Sequence, residues 1–265
     1  MPEFRRNIRL LLAYDGTRYA GWQKQAKDPT VQGVLEDKLA IMTGRPVVAH
    51  GAGRTDAGVH ALAMVANFGT DADIPCAGFA KGLNSLLPAD IRVLEVEEAP
   101  AGFHARKSAR GKTYLYHLAD NVVQLPTERL YVCHVPGGLD SEAMRASLPP
   151  LLGEHDFSSF EAAGSRDPAL QKGRGARRHI HAAAIERSEE RPERLRFTIS
   201  GDGFLRHMVR NIVGTLIEVG KGKRTPADFA AVLAARDRSL AGPTAPAHGL
   251  FLQKVHYEES GIFEV

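Results

Sequence analysis

One short stretch carries most of the reactive chemistry that the sequence offers. Gly51-Ala52-Gly53-Arg54-Thr55-Asp56-Ala57-Gly58-Val59-His60 sets an arginine, an aspartate and a histidine in a turn whose three glycines let backbone approach a ligand closely. A phosphate-cradling P-loop does not fit, because no lysine follows the glycines, and the GxGxxG dinucleotide fingerprint is absent. One plain alternative is a turn in which Asp56 bonds nearby backbone amides. The chemical reading is a single carboxylate beside an arginine, a pairing that keeps the acid ionised and available as nucleophile or base.

Other candidates are fewer. His179 and His181, or the His155-Asp156 pair, could ligate a metal, but the eleven histidines are scattered and lack the spaced carboxylates or thiolates of a closed site, so no metal is expected. No GxSxG elbow exists, and Cys76 and Cys133 lack a nucleophile's local signature and any CxxC partner. Tyr114 and Tyr116 share one face of a strand, either as core or as a platform for a nucleobase. Arg206 and Arg210, four apart on a largely apolar helix, need a partner or an edge.

The elements that must position these residues follow from periodicity. Ile8, Leu10, Leu12 and Tyr14 alternate in a strand over about Asn7 to Tyr14 that Asp15-Gly16 ends. Thr30 can cap a helix carrying Val31, Leu35, Leu39 and Met42 on one face, with Gly44 closing it. Strands are predicted over Pro46 to Ala52 and Ala63 to Phe68, a helix over Pro75 to Leu87 and a strand over Ile91 to Val96. The order is β-α-β-β-α-β, that of a ferredoxin-like half. It repeats as strand Lys112 to Ala119, helix Asp140 to Leu148, strands Ile180 to Ser188 and Arg194 to Gly201, helices Phe204 to Gly220 and Pro226 to Ala235, and strand Leu250 to Tyr257. The expected fold is α+β: two ferredoxin-like halves, residues 1–104 with the Asp56 loop and 105–265 with an additional helix, joined into one extended, mainly antiparallel sheet with a central basic cleft.

The 265 residues are 43% hydrophobic and 25% charged, enough to bury a sizeable core and unlike a disordered chain. Absence of a disulfide framework, of a membrane-length apolar run and of a signal-peptide core points to the cytoplasm. The net charge is only +3, yet residues 101–115, 164–178 and 204–224 each carry net +4, so these segments hold +12 and the rest −9. That segregation suits a polyanionic partner, the alternative being three solvated faces.

Taken together, the sequence resembles the tRNA pseudouridine synthase A family. The resemblance is carried by Tyr14-Asp15-Gly16-Thr17-Arg18-Tyr19-Ala20-Gly21-Trp22-Gln23, Thr30-Val31-Gln32-Gly33-Val34-Leu35-Glu36, the diagnostic Gly53-Arg54-Thr55-Asp56-Ala57-Gly58-Val59-His60-Ala61, Leu83-Asn84-Ser85-Leu86-Leu87-Pro88 and Phe103-His104-Ala105-Arg106. The second half adds Lys112-Thr113-Tyr114-Leu115-Tyr116, Gly153 to Phe160, Met208 to Gly214 and Gly249 to Leu252, so the match runs from about residue 7 to 257. It implies isomerisation of uridine to pseudouridine in the anticodon stem-loop, at tRNA positions 38, 39 and 40, by a cofactor-free homodimer.

By the same resemblance Asp56 is the catalytic carboxylate, Tyr114 packs on the target uracil, Arg210 pairs with the aspartate, and Arg54 meets the flipped-out nucleotide. Residues 164–178, loop-like and arginine-rich, depart from the family pattern. Two rivals fit less well. A non-catalytic RNA-binding protein with RRM-like halves has no need of the Arg54-Thr55-Asp56 loop, and no RNP1-like string is present. An aspartyl phosphotransferase would require a DxD-type metal pair near Asp56.

Overall fold

A computed structural model describes residues 4–165 and 174–257, so Arg166 to Lys172 of the basic 164–178 segment lie outside the described residues. The described residues form ten strands, mainly antiparallel, and five α-helices, in two compact units: 4–110 with 251–257, and 111–250.

The first unit has the ferredoxin-like order. Strand β1 (Arg6–Tyr14) lies between β4 (Ile91–Ala99) and β3 (His60–Thr70), antiparallel to both, and short β2 (His50–Gly51) pairs with β3 opposite Asn67 and Ala66. Helices α1 (Val31–Thr43) and α2 (Cys76–Leu86) pack on each other. The α1 boundaries follow the sequence signals: the Thr30 hydroxyl accepts from Gly33 N–H, and Gly44 takes φ 74°, the left-handed conformation of a helix-closing glycine. Ile8, Leu10, Leu12, Leu35, Leu39, Phe68, Phe79 and Leu83 are fully buried, with Phe79 edge-on to Phe68 at 5.4 Å. Asn84 donates to Val93 O (2.7 Å) and accepts from Val93 N–H (2.9 Å), so its side chain acts as a strand partner and pins α2 to β4.

The strand predicted over Pro46 to Ala52 shrinks to His50–Gly51 for a definite reason. Side chains of α1 take the backbone groups that a ladder would use: Gln32 Nε2 donates to Ala49 O (3.0 Å), and Ala49 N–H donates to Glu36 Oε1 (3.1 Å). The last strand, β10 (Leu250–His256), returns from Phe251 on to the first unit. It runs parallel to β3, with Phe251 opposite His60 and Leu252 opposite Ala61. The outer edge of β3 is thus shared, β10 at its start and β2 further along.

In the second unit β5 (Gly111–Ala119), β9 (Arg194–Gly201), β8 (Arg177–Arg187) and β7 (Gly153–Asp156) pair antiparallel in that order, and β6 (Cys133–His134) runs parallel to β5. The two short strands β6 and β7 add to the order read from the sequence. Helices α3 (Ser141–Ala146), α4 (Met208–Gly220) and α5 (Pro226–Ala235) complete the unit. The helix predicted from Phe204 starts only at Met208, because His207 takes φ 61° and interrupts the right-handed path. Among the described residues no helix is long and apolar enough to cross a membrane.

Candidate active-site loop and its basic groove

Asp56 sits half-buried on the turn between β2 and β3. The turn is held from behind by the Tyr14 to Gln23 segment. Tyr14 Oη and Thr55 Oγ1 share a buried hydrogen bond of 2.8 Å, Trp22 N–H donates to Thr55 O (3.1 Å), and Gly58 N–H donates to Tyr19 O (3.3 Å). The turn closes on itself through Val59 N–H to Asp56 O at 3.1 Å, with Gly58 at φ 77°. Gly16 N–H donates to His60 Nδ1 (3.0 Å), and the fully buried His60 ring stacks on Phe251 at 4.6 Å. His60 therefore anchors the loop rather than reaching solvent.

Glycines make this clamp possible. A Cβ on Gly16 would collide with Val59 O, and one on Gly21, at φ 93°, would lie 2.5 Å from Thr55 O. Gly51 lies flat against the Trp22 indole, which would stand 2.5 Å from an added Cβ. Tyr19, itself buried, donates to Asp90 Oδ1 at 2.6 Å, and burial followed by that bond pushes its phenol well above the ordinary range. These residues hold the backbone of the turn that carries Asp56.

Arg54 is exposed two residues from Asp56 and lines a groove of about 580 Å³ with Gln23, Gln32, His50, His104, Arg106 and Lys107. Sequence reasoning did not assign His50 or His104 a role, although the Phe103 to Arg106 string and the 101–115 charge segment both pointed at this wall. Below the groove, the buried Glu36 carboxylate is spent on Gln32, Ala49 N–H and Lys24.

In the second unit Tyr114 and Tyr116 lie two apart on β5 and fare differently. Tyr116 is core: its ring packs on Gly249, its hydroxyl donates to Pro246 O (2.7 Å), and burial drives its phenol far upward. Tyr114 keeps 8% of its surface exposed and meets the Phe204 ring edge-on at 5.0 Å. Arg210 stands in the first turn of α4, where a cation opposes the helix dipole, so it requires acceptors. Its Nε donates to Ala245 O (2.7 Å), and Ala245 N–H returns a bond to Arg210 O (3.1 Å). The buried Asn211 beside it bonds Phe160 O and receives Thr244 and Arg238, which fixes the start of the helix. Arg206, by contrast, is exposed.

The possible metal residues fall into structural roles. His155 Nε2 bonds Leu152 O (2.7 Å), Asp156 accepts from Ser158, and the His179 and His181 rings meet tilted by 37° on β8. Among the described residues no cluster of three or more His, Cys, Asp or Glu side chains could hold a metal ion. In the 164–178 segment, Arg174 pairs with Asp202, Arg177 Nε with Glu154 (2.9 Å), and Arg178 bonds Gly175 O (2.9 Å).

A family model described as tRNA pseudouridine synthase matches residues 11–106 and 149–258. A tRNA pseudouridine synthase A 1 from Desulfotalea psychrophila is 50% identical over 95% of this chain and 100% of its own length. A tRNA pseudouridine synthase A from Geobacter sulfurreducens is 46% identical over 95% and 100%, and one from Lacticaseibacillus casei 44% identical over 95% and 99%.

Proposed function

Since the chain belongs to the tRNA pseudouridine synthase family, we propose that it isomerises uridine to pseudouridine in tRNA, on the 3′ side of the anticodon stem-loop, with Asp56 as its catalytic carboxylate. The observation that carries this reading is the Asp56 turn. It is the diagnostic string of the family, and here the turn that carries it is tied down by Tyr14, Tyr19 and Trp22.

The reaction balances without an external reactant. The N1 to C1′ bond breaks, the base turns while held, C5 bonds to C1′, a proton leaves C5 and N1 ends protonated. Three roles for the carboxylate fit this sequence: attack on the sugar, attack on the base, or removal of the sugar C2′ proton. A stem uridine must first leave its stack at a cost of a few kcal/mol, which an aromatic face and basic walls offset. We assign Tyr114 to the uracil, Arg210 to Asp56 and Arg54 to the extruded nucleotide; the family motifs support these roles. The test is tritium release from tRNA labelled at uridine C5. Release catalysed by the purified chain supports the reading, whereas tight binding without release would make this an RNA-binding protein.

Tyr114 tests the stacking assignment. Tyr114→Phe is expected to keep at least about a tenth of the wild-type kcat, while Tyr114→Ala loses both activity and, because the ring is largely buried, about 3 kcal/mol of stability. Equal and complete loss of kcat in both, with Tyr114→Phe still folded, would assign the work to the hydroxyl.

Neutralising Arg174, Arg177 and Arg178 together is expected to weaken tRNA binding and flatten its salt dependence. The exposed ion pairs of Arg174 and Arg177 are worth only about 0–1 kcal/mol each and can exchange for phosphate. An unchanged slope would make them purely structural. We further propose a homodimer acting in the cytoplasm, which sedimentation of the purified chain and fractionation of cells test.

A further inference from the structure

The groove beside Arg54 holds an arrangement that the isomerisation chemistry does not use. The His50 and His104 rings stack at 4.9 Å with 29° between their planes. They come from separate segments, β2 and the turn after β4, and three permanent cations share the groove with them: Arg54, Arg106 and Lys107. Among the described residues that line it none is acidic. The carboxylate of α1 behind it, Glu36, is already engaged by Gln32, Ala49 N–H and Lys24, and Lys24 is accordingly held above its ordinary value.

Such a cluster repels itself until an anion enters. His104 shows the strain: burial first, then His50 and Lys107, hold its imidazole below the ordinary histidine value. Its Nδ1 accepts Arg106 N–H at 3.1 Å, so the neutral ring carries its proton on Nε2, which leaves Nε2 as a donor. The side chains of Arg106 and Lys107 are exposed and extend over the same wall. A volume of about 580 Å³ suits one or two sugar-phosphate units and is too open for a dedicated small-molecule pocket.

We propose that this groove is a phosphodiester subsite, in which His50, His104, Arg106 and Lys107 grip the RNA backbone next to the nucleotide that Arg54 meets. The inference rests on tRNA being the substrate. An RNA phosphate reverses the like-charge repulsion on His104, so binding draws a proton onto that ring and tightens as pH falls. The other charged groups of the neighbouring elements are Arg54, Arg106, Lys107, Lys24 and Glu36, the last bonded to Gln32 and Lys24.

Equilibrium tRNA binding is measured with the Asp56→Ala protein, so that the RNA stays unmodified, from pH 5.5 to 7.5 and over a range of salt. Adding Lys107→Gln and Arg106→Gln is expected to raise Kd about tenfold and to lower the salt slope by about 1.8, two phosphate contacts' worth. Adding His104→Gln, whose amide oxygen can still accept the Arg106 N–H, is expected to remove most of the pH dependence, with the melting temperature read in parallel. In a chain with Asp56 intact, the Arg106 and Lys107 substitutions are expected to raise KM about tenfold and leave kcat within about threefold. The inference is overturned if Kd and slope stay at the parent values, if the pH dependence survives His104→Gln, or if kcat falls while KM holds. Tritium release by the unsubstituted chain is read in parallel: its absence strikes at the enzymatic reading, whereas normal release with unaltered binding in the groove variants strikes only at the subsite.

Discussion

Replacing Asp56 by asparagine is expected to lower pseudouridine formation by about 10³-fold or more, the scale on which loss of a group that meets the reacting atoms acts. Contacts that shape the turn include the Thr55 hydroxyl and carbonyl, the Asp56 carbonyl, Gly58 and Val59. Asparagine retains all of them and nearly the same volume. The variant should therefore keep its melting temperature within a few degrees and bind tRNA within about threefold of the parent. Residual turnover above about a hundredth of the parent rate, in protein free of wild-type contamination, would remove Asp56 from the chemistry. A collapse in melting temperature would show instead that the carboxylate is a structural tie, the alternative reading of an aspartate in a glycine-rich turn.

The second large effect falls on a residue that touches no substrate. Gly21→Ala would place a methyl 2.5 Å from Thr55 O on a backbone at φ 93°, a conformation that costs alanine about 1 kcal/mol before any clash. With the clash, about 3 kcal/mol of stability is expected to be lost. Relief of the overlap pushes the Thr55-Asp56 backbone outward, and a shift of about 1 Å there costs on the order of 100-fold in kcat. Gly102→Ala serves as the matched control, because its Cβ meets nothing within 4 Å. The pair of readouts is diagnostic: Asp56→Asn loses rate and keeps stability, whereas Gly21→Ala loses both. A Gly21→Ala protein with parental kcat would show that the clamp does not set the position of the carboxylate.

What could be read from the sequence, and what could not, divides along the range of the interactions involved. The α1 caps at Thr30 and Gly44 are local chemistry and were legible, as was the alternation of β1. The Asp56 turn announced itself through its glycines. Its clamp did not, because Tyr14, Gly21 and Trp22 meet Thr55 across more than thirty residues of chain, and nothing in a run of aromatics and glycines says what it packs against. The shortening of β2 was equally hidden: Ala49 spends its hydrogen bonds on Gln32 and Glu36, polar residues that periodicity alone places on a solvated helix face. Strand β7, Gly153–Asp156, has no alternation of apolar residues and is recognisable only by its pairing with β8. Helix α4 kept its apolar stripe but began late, since the left-handed backbone at His207 leaves no mark in hydrophobic periodicity. The His50 and His104 stack joins residues from two segments and became visible only in three dimensions.

The return of β10 to the first unit sets a timetable for biosynthesis. His60, the residue that closes the Asp56 turn, stacks on Phe251, while His256 O receives Arg110 N–H and the Tyr257 hydroxyl bonds Ala105 O. A ribosome making this protein completes β1 to β4 well before β10, so the start of β3 keeps an open edge until β10 emerges. Until Phe251 is made, the nascent chain therefore carries the Asp56 turn without the ring that steadies His60. Competence to modify RNA would switch on only after Phe251 has been made, and a messenger cut short before Phe251 codes for a chain that holds its aspartate but cannot finish the unit around it.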